Sequence, residues 1–319
     1  MRRAVLPAIL AVLALLAALA AGADRAARAA PPARVDGQAS SGIQVQNLDL
    51  TDAATVVAEY RRHDAAPGIQ IGAWHGTVPA GSAMNFYSPS IPELAPDVYG
   101  VRIAADRPTD AVVRNEWLGS SAAMVYNALR PATDVVLPLY LQRWRHHDGA
   151  IAVMNGADAE AAVDLTLWTA DGTLARRDQL TLPPHGPTIL PLHLSNPPGI
   201  GFAGWARLRS TTPIAAVGLA DVVATQKAAY AYEGMPAADL APTLYAPLVR
   251  RTTPPQRTES VTYLWVTNPG DGATQVTVRY TGTAGACAGR TYTDGPHALP
   301  AHAMRRFDPR APGAVPPNC

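Results

Sequence analysis

The chain has 319 residues, with 26 Lys and Arg, 25 Asp and Glu, 30 Pro and 25 Gly. Two of the basic residues, Arg2 and Arg3, precede an apolar run, which leaves 24 against 25 acidic ones. So even a balance argues against a polyanion such as nucleic acid as partner. The Pro and Gly content argues against long helices after the N-terminus.

Arg2 and Arg3 form a short positive region before an uncharged stretch of Leu, Ala, Val and Ile over 6–20. Ala21, Gly22 and Ala23 then supply small residues where a signal peptidase cuts. Residues 1–23 are therefore expected to be a signal peptide, the alternative being an uncleaved anchor that is the only membrane contact. Residues 24–41, rich in Ala, Pro and Ser, read as a flexible leader. Export to the envelope or the extracellular surface follows.

The rest of the chain repeats itself. Ile43-Gln-Val-Gln-Asn47, Ile151-Ala-Val-Met-Asn155 and Tyr263-Leu-Trp-Val-Thr-Asn268 are alternating strands that end in Asn. Each leads through a short polar stretch into a second strand: Ala54-Thr-Val-Val-Ala-Glu-Tyr60, Ala162-Val-Asp-Leu-Thr-Leu-Trp168 and Thr274-Gln-Val-Thr-Val-Arg-Tyr280. These pairs read as hairpins or short sheet connections. Then come Val78-Pro-Ala-Gly81, Leu182-Pro-Pro-His-Gly186 and Leu299-Pro-Ala-His302. Gly100 and Gly204 each fall 21 residues after the preceding Pro of that motif. Pro108 with Ala111-Val-Val, and Pro213 with Ile214-Ala-Ala-Val217, extend the match. Val136-Leu-Pro-Leu-Tyr140 and Thr243-Leu-Tyr-Ala-Pro-Leu-Val249 look like strands leading from one unit to the next, at edge positions because Pro cannot donate to a ladder.

The expected fold is all-β: tandem antiparallel β-sandwich repeats after a signal helix, with repeat 1 at 42–131, repeat 2 at 132–235 and an incomplete repeat 3 at 236–319. The expected core is Val45, Val57, Trp74, Val101 and Val113; then Val153, Leu165, Leu167, Leu208 and Val217; then Leu264, Val266, Val276 and Val278. The 21-residue spacing from Pro300 points to position 321, past Cys319, so the third unit is expected to stop before its later strands, through a shortened reading frame or a different closure.

This order of motifs, fullest over 137–217, resembles the tandem immunoglobulin-like or fibronectin-like repeats of large exported bacterial surface proteins. The resemblance implies architecture and location, and no activity.

Chemistry is sparse. Cys287 and Cys319 are a reasonable disulfide pair in an exported chain, with two free thiols as the alternative. Such a bridge would stabilise by about 3 kcal/mol in the loop-entropy picture. His146-His147-Asp148 is the densest ligand cluster, but neighbouring strand residues face opposite sides, and Arg143 and Arg145 would repel a cation. Gly119-Ser-Ser-Ala122 lacks a nucleophile elbow, and His185 and His302 sit in the Pro-containing turn. No phosphate loop, dinucleotide fingerprint or zinc signature is present, so no catalytic, cofactor or metal residue is assigned. Of six Trp, Trp117 and Trp144 lie near unit junctions and are the candidates for stacking on a ligand. The expected function is a non-enzymatic structural or adhesive protein that contacts envelope proteins. The alternatives are a carbohydrate-binding array for extracellular glycans and, third, a hydrolase with an unrecognised site.

Overall fold

The computed structural model describes residues 39–63, 69–95, 97–117, 123–144, 147–190, 201–222, 229–251, 261–283, 287–311 and 313–316. The expected signal peptide, most of the leader, His146, Cys319 and the side chain of Trp117 lie outside the described residues.

The fold is all-β. Apart from two 3-10 turns, Ser88–Ser90 and Ala237–Asp239, every regular element among the described residues is a strand. In the first segment these are β1 (Ala39–Asn47), β2 (Ala54–Arg62), β3 (Gln70–Val78), β4 (Ala83–Tyr87), β5 (Tyr99–Ala105), β6 (Thr109–Trp117) and β7 (Ala123–Asn127). The second has β8 (Ala132–Trp144), β9 (His147–Asn155), β10 (Ala161–Thr169), β11 (Leu174–Leu182), β12 (Pro187–Leu190), β13 (Phe202–Val222), β14 (Ala229–Glu233) and β15 (Met235–Pro236). The third has β16 (Leu264–Thr267), β17 (Thr274–Thr281), β18 (Thr291–Leu299) and β19 (Met304–Phe307).

All pairings are antiparallel. The first segment forms the sheets β4-β1-β6-β7 and β3-β2-β5. Both contribute to one buried cluster that includes Ile43, Val45, Val56, Tyr60, Phe86 and Ala111. In the second segment the same neighbours recur, β12-β9-β13-β14 and β11-β10-β13. They merge into one sheet because β13 runs unbroken for 21 residues. Its first half pairs with β10 and its second with β9, with a register shift between Arg209 and Ile214 where β8 follows it. β8 lies along the first half of β13, and β15 lies back on β8 through Met235 opposite Val136. Among the described residues the third segment has the two sheets β16-β19 and β17-β18. Residues 243–249, expected as a strand, form none: Pro247 cannot donate to a ladder, and its neighbours are exposed.

The strand that ends in Asn does not make a hairpin with its successor: β1 and β2 belong to different sheets, as do β16 and β17. The connection crosses between sheets, and the buried Asn holds the corner. Asn47 and Asn155 are fully buried and Asn268 nearly so. Asn155 Nδ2 donates to the carbonyls of Ala159 (2.7 Å), Leu182 (3.4 Å) and Pro183 (3.0 Å), while its Oδ1 accepts from the Ala157 N–H (3.0 Å). Asn47 makes the matching set with Asp52, Val78, Pro79 and Asp49, and Asn268 with Gly272, Leu299, Pro300 and Gly270.

The partner of each corner is the Pro-containing turn. Its third residue, Gly81, His185 or His302, has φ of 61, 51 or 58°. The N–H of that residue donates to the carbonyl two positions after the Asn, at 2.8, 3.1 and 3.2 Å. Gly accepts a left-handed backbone freely, whereas His does so at a cost, so the turn is held from outside at the second and third positions.

One sequence expectation shifts by one residue. In β2 the residue in the core is Val56, fully buried, and Val57 is half-exposed; in β13 Val217 is buried as expected, and Ile214 and Ala216 are buried as well. Where β-branched residues sit side by side, alternation does not say which faces inward. Gly100 and Gly204, equal in count from their Pro, stand at adjacent register positions. Val101 opposes Tyr60 as Ala206 opposes Leu167, which puts Gly100 level with Trp205. Pro108 and Pro213 do correspond: their carbonyls accept from Leu48 N–H (2.9 Å) and Gly156 N–H (2.8 Å), each the residue after the corner Asn.

Asn155→Ala strands three carbonyls and one N–H and is expected to cost about 3 kcal/mol in urea unfolding. Asn155→Asp, nearly the same shape, turns an acceptor-only carboxylate towards those carbonyls. It should be at least as destabilising at pH 7; an Asp variant clearly more stable than the Ala variant would remove the donor role.

Candidate functional site

Alternation along β10 and β13 sends Leu165, Leu167, Ala206 and Leu208 into the core. The intervening residues, Asp164, Thr166 and Trp168 on β10 and Trp205, Arg207 and Arg209 on β13, take the opposite face. The third segment covers one end of that face. Trp205 is fully buried there, stacked on Trp168 (4.3 Å between centroids, planes at 12°), and its Nε1 donates to the His302 carbonyl at 2.6 Å. Met304 N–H donates to the Ala170 carbonyl at 2.9 Å. The β10–β11 turn must pass closely under this contact: Gly172 has φ +91°, and a Cβ there would lie 2.4 Å from the Ala301 oxygen.

What stays open is a trough of about 1010 Å³ lined by, among others, Asp164, Trp168, Arg177, Gln179, Arg207 and His302. Most of its charges are already matched. Arg207 grips Asp134 with two bonds of 2.7 Å, and Arg209 approaches the same carboxylate at 3.5 Å. The hydrogen bonds from Arg207 hold the Asp134 carboxyl below the usual carboxylate range, and the same bonds push the Arg207 guanidinium up. Arg176 holds Asp178 at 2.5 Å, Gln179 donates to Asp164 at 2.9 Å, and His302 Nε2 lies 3.2 Å from Asp271. Arg177, exposed, brings the positive charge least engaged by these pairs. A floor of satisfied polar groups beside one half-buried indole suits hydrogen bonding to a polar, uncharged or weakly acidic ligand. Among the described residues no group of three His, Cys, Asp or Glu converges as a metal cage.

Of the residues singled out from sequence, Trp144 sits at the junction of the second and third segments rather than in the trough. It meets Trp265 edge-on at 5.5 Å and His147 at 6.4 Å, and lies beneath the Arg306 guanidinium at 5.6 Å. Arg306 also covers Tyr263 at 4.7 Å and Trp265 at 5.9 Å. His147 and Asp148 open β9, Trp144 and Gln142 at the end of β8 stand opposite them, and Arg143 has φ 43°. Trp117 ends β6 with its Cα opposite Ala39. Cys287 is buried, is not a free thiol, and accepts a hydrogen bond from Tyr292 Oη at 3.4 Å. Sequence reading missed the trough itself. Its signal was the outward set of β10, Asp164, Thr166 and Trp168, which only becomes a site when the third segment is folded against it.

Because the folded-state pKa of Asp134 is depressed, its pairing with Arg207 and Arg209 stabilises fully above its unfolded pKa of roughly 3.9 and is lost as pH falls through the folded value. The stability gap between the protein and Asp134→Asn, read as urea midpoints, should be widest near neutrality and close at acid pH. A gap that stays constant down to the acid limit would show that the charge of Asp134 contributes nothing. Comparison with family models, with curated proteins and with solved structures returned no match.

Proposed function

We propose that the chain is an exported structural or adhesive protein built from copies of one β-sandwich unit, and that it works as a spacer or protein-interaction module without catalysis. The observation that carries this reading is the corner network. The same Asn, the same four backbone groups and the same left-handed turn occur at Asn47, Asn155 and Asn268. Conserved structural effort of this kind goes into holding copies in shape, while the one trough carries satisfied pairs rather than a poised acid, base or nucleophile. The expected placement is the envelope or extracellular surface, after cleavage near Ala23. Cys287 is expected to pair with Cys319, closing the tail of the third copy.

The trough gives the carbohydrate reading its one specific support: Trp168 beside Gln179, Asp164 and Arg177 offers an aromatic edge and polar groups of the kind that sugars engage.

Fractionation with surface proteolysis, N-terminal sequencing and mass measurement with and without reductant test the first reading together. Expected are a surface or exterior chain beginning after residue 23, and a mass that rises by two hydrogens on reduction. A chain found inside the cell would overturn the reading. Glycan-array binding abolished by Trp168→Ala or Trp144→Ala would replace it with the carbohydrate reading. Turnover of any ester, peptide or glycoside would defeat both.

A further inference from the structure

The outer face of β11, β10 and β13 is built in rows, because register sets which side chains stand abreast. Gln179, Asp164 and Arg209 form one row, and Asp134 on β8 extends it. Arg177, Thr166 and Arg207 form the next. Leu174, Trp168 and Trp205 form the third, where the Pro-containing turn of the third segment rests on Trp205. Successive rows lie roughly 7 Å apart, two residues along a strand. The trough thus runs from a polar row, across an Arg-Thr-Arg row, to an indole.

The middle row has no carboxylate. Thr166 stands between Arg177 and Arg207, and its hydroxyl makes no hydrogen bond with any described residue. Arg207 turns instead to Asp134, which also draws Arg209. Arg177 has no acidic partner among the described residues. Asp164, in the neighbouring row, already accepts from Gln179 at 2.9 Å. The two polar rows therefore set Arg177, Arg207 and Arg209 against Asp134 and Asp164, and the charge in excess is that of Arg177.

The first segment shows what belongs at this point. Glu59 stands opposite Arg102 in the register that Thr166 and Arg207 repeat, since Tyr60 opposes Val101 as Leu167 opposes Ala206. The Glu59 carboxylate accepts from Arg102 at 3.1 Å and lies 3.5 Å from Arg61. One segment thus supplies a carboxylate from its own chain. The other has a threonine there, in a trough of about 1010 Å³. Thr is shorter than Glu and uncharged, so both the space and the positive field are left without their anion.

We propose that the trough over Thr166 binds an acidic saccharide, whose carboxylate takes the place that the Glu59 carboxylate takes in the first segment. Arg177 and the Thr166 hydroxyl donate to it, the guanidinium fork matching its two oxygens. The sugar ring lies towards Leu174 and Trp168, one row away, where an apolar ring face meets the indole. Gln179 and Asp164, one row to the other side, meet the hydroxyls of a neighbouring sugar. A single positive charge in excess suits one carboxylate per site and not a dense polyanion.

This inference deepens the carbohydrate reading of the trough, and the two fail separately. The test titrates the whole chain by calorimetry with tetragalacturonate, with its fully methyl-esterified form and with tetraglutamate. Expected are saturable one-to-one binding of tetragalacturonate and binding about tenfold weaker, or less, of the ester, which keeps the rings and loses the charge. Arg177→Gln should weaken tetragalacturonate by about tenfold, the effect of one charge-assisted contact, and leave the ester unchanged. Thr166→Glu, which copies the first segment, should abolish tetragalacturonate binding while the urea midpoint holds. Arg114→Gln, exposed on β6, removes the same charge elsewhere and should change nothing. Equal binding of acid and ester overturns the acidic ligand and leaves the carbohydrate reading standing. No saturation by either up to about 10 mM overturns the proposal, and the carbohydrate reading is then decided by the glycan array alone. An Arg177→Gln chain that binds as before, or tetraglutamate bound more tightly than tetragalacturonate, overturns it as well, the second by making the ligand an acidic peptide.

Discussion

A buried carboxamide holds the corner between consecutive strands in each of three segments of this protein. The corner Asn is one of the few side chains with two donors and an acceptor on a short stem, and here every one is used on backbone. The chain must leave one strand ladder and start another within a few residues, which exposes carbonyls that neither ladder reaches. The side chain takes the place of the missing ladder. Nothing else in the corner has the right shape: Asp lacks the donors, Gln has a longer stem with more rotamer freedom to lose, and an aliphatic residue would leave the carbonyls unpaired in a dry interior.

The corners also explain how the second and third segments meet. The turn that receives the Asn bonds is an exposed knuckle of backbone, and in the third segment that knuckle, Ala301 and His302, rests on the outer face of β10 and β13. Trp205, on the outward side of a strand, is thereby fully buried, and Trp168 is half-buried beside it. One motif therefore serves twice, once within its own unit and once as the contact to its neighbour. Arg306 over Trp144, Tyr263 and Trp265 closes the other end of the junction with cation–π contacts.

Much of this was legible in the sequence. Three Asn residues 108 and 113 apart, each at the end of an alternating strand, located the corners, and the Pro turns located their partners. Strand faces were less legible. Val56-Val57 presents two aliphatics in a row, and only packing decides between them. The Gly100 and Gly204 match was right in count and wrong in register, because the stretch from the Pro turn to the paired strand is one residue longer in the second segment. The continuity of β13 was hidden because Thr212-Pro213 reads as a break, whereas the strand passes through it with a shift in register. The trough was not visible at all, since its walls come from residues more than a hundred positions apart.

β15 lying on β8 has a consequence for how such a chain grows. Met235 sits opposite Val136 and Pro236 opposite Val135, so the polypeptide comes into the second segment and goes out of it side by side. A unit whose two ends are neighbours is a closed excursion from the chain. Insertions in the loops of that excursion lengthen it while its entry and exit stay side by side on β8 and β15.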